Sequence, residues 1–124
     1  MWLAVPMTKP AGDKKFYIPS ENLKDLATGY GAGFATDHIM VRGHKVGFMY
    51  REEPDNDIDS GWRFTSGLES EAEMDNGALL GVYDVNTIAN YDPEIIPFLK
   101  SAIGSVYARA SAKAPLLPVE DDES

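Results

Sequence analysis

The sequence predicts an α+β fold, a small twisted antiparallel sheet of about four or five strands with two or three short helices. Three observations predict it. Short extended segments with apolar alternation recur through the middle of the chain, in KVGFMYRE, GWRFTSG and LLGVYDV. Helix-start signals lie outside that run, at Ser20 and again at Asp92–Pro93. The 124 residues, 44% of them hydrophobic, suffice for one buried core. The expected organisation is a loose extension over residues 1–15, a single domain over 16–112, and a flexible acidic tail over 113–124.

Taken in order, Pro6, Pro10 and Gly12 keep the first residues irregular. Ser20 reads as the N-cap of a short helix through LKDLA, ended by the glycines of TGYGAG. GFATDHIMV and KVGFMYRE read as two strands joined by a tight turn at Arg42–Gly43–His44, with Val46, Phe48 and Tyr50 on the favoured face. GWRFTSG follows as a strand antiparallel to its predecessor, placing Trp62 and Phe64 on one face and Arg63 and Thr65 on the other. ESEAEMDN reads as a short acidic helix or turn, and LLGVYDV as a further strand. Asn86 is placed to cap TIANY. Asp92 caps a helix with Pro93 at its first position and Pro97 shortening or kinking it. IGSVYARAS reads as a last strand or a short helix.

Charge is distributed unevenly. Residues 51–99 hold two Lys/Arg against twelve Asp/Glu, a net −10, while the whole chain carries −9. Such a surface repels nucleic acid and anionic lipid and favours a cationic partner. There is no cysteine, which excludes disulfides, thiol catalysis and cysteine-ligated metal clusters. The apolar N-terminus MWLAVPM lacks a basic flank and is broken by Pro6, so a cytoplasmic protein is expected, with no membrane association.

The densest charge is in REEPDNDIDSGWRF, where Glu52, Glu53, Asp55, Asp57 and Asp59 precede Trp62 and Phe64. Asp55, Asp57 and Asp59 have the spacing that opens an EF-hand loop. Ser60 stands where that loop needs glycine, however, and Ser66 where it needs a bidentate glutamate, so no metal or other cofactor is expected. Acids sharing one exposed loop share one environment, and nothing separates their pKa values for acid–base catalysis. A hydrolase built on His38 and a nearby acid lacks a nucleophile elbow, and TGYGAG lacks the lysine and helix of a phosphate loop. No catalytic residue is expected. The residues favour a binding protein, with a solvated acidic loop as the plain alternative.

The VGFMYRE strand, the segment from Ser60 to Gly67, the acidic MDN turn and the YDVNTIANYDP block ending near IGS resemble the immunity protein 33 family of bacterial polymorphic toxin systems. The resemblance spans roughly residues 34–109. It implies a non-enzymatic inhibitor whose partner is a cognate toxin encoded by an adjacent gene. Combined with the acidity, it points to a toxin with a basic active-site surface, of which nucleases are the commonest kind. The residues expected at the contact are Glu52, Glu53, Asp55, Asp57, Asp59, Glu69, Glu71, Glu73 and Asp75, with Trp62 or Tyr50 as an aromatic anchor. A housekeeping or regulatory binding module unrelated to toxins is the alternative.

Overall fold

One mixed sheet organises the computed structural model, which describes residues 15–119. Its strands are β1 (Ala32–Thr36), β2 (Phe48–Arg51), β3 (Asp59–Thr65), β4 (Leu80–Asp84), β5 (Val106–Ala108) and β6 (Leu117–Pro118), in the order β4-β1-β3-β2-β5-β6. The α+β class is therefore found, but with six strands rather than four or five. The sheet is also not wholly antiparallel, because β1 and β3 run parallel.

The difference begins at Thr36. The expected long strand GFATDHIMV leaves the sheet there, and Asp37–Met40 winds into a short helix, α1, burying Ile39 and Met40. The amides of Arg42 and Gly43 bond back to the Asp37 and Ile39 carbonyls, so the chain leaves the helix end instead of making a hairpin. It rejoins the sheet beyond β3. β3 then lies between β1 and β2, and only the β2–β3 hairpin forms as expected, with Tyr50 opposite Arg63 and Met49 opposite Phe64.

The helix expected after Ser20 reduces to one 3₁₀ turn, Ser20–Asn22, with Pro19 at the cap position and no side-chain cap. The backbone beyond it is held from outside. Asn86 Oδ1 accepts from the amides of Leu26 and Ala27, and Asn90 Oδ1 from that of Lys24. Asn86 is thus a clasp rather than a cap. The cap of the helix Val85–Tyr91, here α3, is Asp84, which accepts from the amide of Asn86. Val85, Ile88 and Ala89 form its buried stripe. Asp92 caps the next turn as expected, with Pro93 leading it, but Pro93–Phe98 is a 3₁₀ helix containing Pro97. The short acidic helix also forms, as α2 (Glu71–Met74), and Ser70 and Glu73 close a capping box on it.

The core lies on one side of the sheet, where Ala35, Met49, Trp62 and Phe64 meet Ile39, Met40, Val85, Ile88, Ile95 and Leu99. Burying each of the larger side chains contributes about 1.5–3 kcal/mol. The inward residue of β2 is Met49, fully buried, while Phe48 and Tyr50 are only half-buried on the opposite face. That reverses the facing expected for this strand. Residues 113–119, expected to open the flexible tail, instead place Leu116 in the core and Leu117–Pro118 against β5. The rest of that tail, and residues 1–14 of the extension, lie outside the described residues.

Candidate functional site

The β2–β3 connection carries the first acidic group, and β3 itself holds it in shape. Between Asp59 and Arg63 the pairing of β3 with β1 shifts register and Gly61 takes φ +91°, and across this irregularity the carboxylate and guanidinium meet. The Asp59 oxygens lie 2.9 Å from Arg63 Nη1 and 2.9 Å from Nη2, a two-pronged pair. The same carboxylate accepts from the amides of Asp55 and Gly61. These bonds, the one to Arg63 foremost, hold the Asp59 pKa down to about 2. Asn56 Oδ1 accepts from the amides of Ile58 and Asp59, and Glu52 Oε2 takes Arg63 Nε at 2.6 Å. Glu53, Asp55 and Asp57 project from this frame, exposed.

In this frame both oxygens of Asp59, the third acid of the Asp55, Asp57 and Asp59 spacing, are turned onto Arg63. Among the described residues no group of three or more His, Asp or Glu side chains is placed to hold a metal ion.

The second acidic group starts beyond the far end of β3. Seven residues at a rise of about 3.3 Å put the two groups on the order of 20 Å apart, so they do not merge into one patch. Half of this second group is structural. The Glu69 side chain, 4% exposed, accepts from Thr36 Oγ1 and from the amides of Ser66 and Gly67. Burial pushes its pKa up, and these bonds outweigh burial to leave it below the usual carboxylate value. Glu73 completes the capping box and faces His38 Nε2 at 3.2 Å and Arg42 Nη2 at 3.8 Å. Its pKa is lowered, first by the Ser70 amide and then by His38. Glu71 and Asp75 are exposed.

Ser66 Oγ, His38 and Glu73 line up with the connectivity of a serine–histidine–acid relay, Oγ lying 3.0 Å from Nδ1. The surroundings oppose that use. The amides of Ser66 and Gly67, which would have to receive a developing oxyanion, already donate to Glu69, and Ser66 Oγ accepts from the amide of Leu68. The cluster fastens the loop after β3 to α1.

Trp62 is fully buried, stacks on Phe64, and donates its indole N–H to the Leu99 carbonyl at 3.1 Å. It is core, not contact surface. Phe48 and Tyr50, set on the favoured face by their alternation, are instead half-buried on the outer face, which leaves Tyr50 available as the expected anchor, while Phe16 and Tyr17 are the exposed aromatics among the described residues. On the face away from the helices, one row crosses the sheet through Val106, Tyr50, Arg63, Phe34 and Val82. The Arg63 guanidinium lies 4.0 Å over the Phe34 ring. The signal that could have revealed the central pair is an Asp and an Arg four apart on a single strand face.

Fold and site together define a small α+β domain with α1, α3 and the 3₁₀ turn Pro93–Phe98 packed on one side of the sheet and an acidic hairpin at the end of β2 and β3. The chain belongs to the family described as the Immunity protein Imm33 domain, whose model matches residues 33–119. Membership gives the coarse role, toxin immunity through binding of a cognate toxin. No curated protein and no solved structure matches the chain. Among the described residues no helix is long and apolar enough to cross a membrane.

Proposed function

We propose that this protein neutralises a toxin with a basic active-site surface, a nuclease encoded by the adjacent gene, and that the β2–β3 hairpin is its acidic contact. The single observation that carries the reading is the hairpin's construction. Asp59 and Arg63 fix its backbone, so Glu53, Asp55 and Asp57 are presented at set positions instead of relaxing apart. Preorganised like charge is unfavourable for the free protein and becomes useful opposite a cationic surface. A nuclease has such a surface because it must grip phosphates. Opposite fields also speed encounter, which matters for an inhibitor acting on a lethal enzyme in the cytoplasm. Asp59 supports the hairpin, whereas Glu69 and Glu73 support the loop after β3, from which Glu71 and Asp75 project.

The test is nuclease inhibition by the wild type and by a variant carrying Glu53→Lys, Asp55→Lys and Asp57→Lys. The expected result is association slowed by about tenfold or more at low salt, with a smaller salt dependence. Unchanged association and unchanged salt dependence would remove the hairpin from the contact. A neighbouring toxin without nuclease activity would remove the substrate class.

A further inference from the structure

We propose that the toxin seats on the half of the sheet formed by β2, β5 and β6, whose outer face no described element covers, with Phe48 and Tyr50 as its aromatic anchors and the acidic hairpin as its steering rim. The proposal rests on the toxin-binding reading above and adds to it the surface that carries the affinity.

Strand register assembles this surface. Tyr50 pairs with Val106, and the Val119 amide donates to the Val106 carbonyl, so these three share a face. Phe48 pairs with Ala108 and Ala108 with Leu117, adding a second apolar row on the same side. Leu117 is 58% and Val119 48% exposed, and the Phe48 and Tyr50 rings lie 5.7 Å apart, half-buried. The neighbouring part of the face is occupied by polar pairs: Arg63 with Glu52 and Asp59, and Thr36 with Glu69.

Position and charge identify the occupant. Glu52 lies two residues beyond Tyr50, about 7 Å along the strand and inside the Debye length of physiological salt. A protein covering Tyr50 therefore meets the rim acids. A neutral or acidic partner would desolvate them without compensation, while a basic one pairs with them. Burial, reinforced by Glu52, raises the Tyr50 phenol pKa, so the anchor is a neutral hydroxyl able to donate at the interface. Aromatic anchors beside charged rims are the usual makings of an interface hot spot. Entry by strand addition is disfavoured, because the edge strand β6 is two residues long and one of them is Pro118. The partner is thus held by side chains on the face, not by the sheet edge.

The experiment uses the full chain and the purified product of the adjacent gene, inactivated at its catalytic centre. Association and dissociation rates are measured for Phe48→Ala, Tyr50→Ala and Leu117→Asp, and hydrogen exchange is followed on the wild-type complex. The Leu117 variant alters an exposed position outside the core, and the exchange experiment needs no variant, so misfolding cannot decide the result. The expected outcome is dissociation faster by about thirtyfold for the two ring variants, with association nearly unchanged, and protection of β2 and β5 amides in the complex. If the wild type binds and the hairpin reversal weakens it while all three variants dissociate as wild type, this surface is overturned and toxin binding by the hairpin stands. No binding by the wild type would instead overturn the toxin reading, and this surface with it. A dimer of the free protein that Leu117→Asp dissociates would assign the face to a second copy and overturn the proposal.

Discussion

At Asp59 one carboxylate holds the Arg63 guanidinium with both oxygens and takes two backbone amides of the hairpin it supports. Arg63 is 4% exposed, so it needs that partner. Removing one member of a buried pair costs more than the pair's net contribution. Asp59→Asn is accordingly expected to lower stability by about 2–3 kcal/mol at neutral pH, as read from denaturant midpoints. The Asp59 pKa falls on folding, from the ordinary aspartate value of 3.8 to about 2. The stabilisation is therefore complete above pH about 4 and is lost as pH falls toward 2. The gap between wild type and variant should close over that interval. A gap that stays constant would assign the loss to hydrogen-bond geometry rather than charge.

Among the elements, the hairpin depends on Gly61. Its φ is +91°, and a Cβ there would run into the Glu52 carbonyl oxygen, which lies across the strand pair. Gly61→Ala should cost at least about 2 kcal/mol and loosen the acidic loop, seen as faster amide exchange at Asp55 and Ile58. Normal exchange at both amides would show that the loop is shaped by its side chains alone. Locally encoded elements were legible in the sequence: the cap Asp92–Pro93, the short acidic helix within ESEAEMDN, and the β2–β3 hairpin with its alternation around Trp62 and Phe64. Each is set by residues a few positions apart. The parallel pairing of β1 with β3 was not legible, because its partners lie 27 or more residues apart and no local pattern records them. The facing of β2 was misread for a different reason. Both of its faces are apolar, so the alternation of Phe48, Met49 and Tyr50 fits either orientation, and Met49 fills the core.

Across the whole molecule, the acidity that drew attention to residues 51–75 separates into supports and presented charge. The carboxylates of Asp59, Glu69 and Glu73 are held in bonds within the domain, while Glu53, Asp55 and Asp57 face solvent at one end of the sheet. Composition recorded the total charge but not this division, since the supporting Arg63, Thr36 and His38 come from three different elements. On the proposed reading, the presented charge beside an apolar half-sheet that no described element covers supplies both a long-range and a short-range means of binding. The most direct test is a calorimetric titration of the protein with the product of the adjacent gene at low and at moderate salt. Tight binding that weakens as salt rises is the expected result, with a negative heat-capacity change from the apolar face. Absence of binding at low salt would contradict the proposal that this immunity domain acts by capturing that toxin.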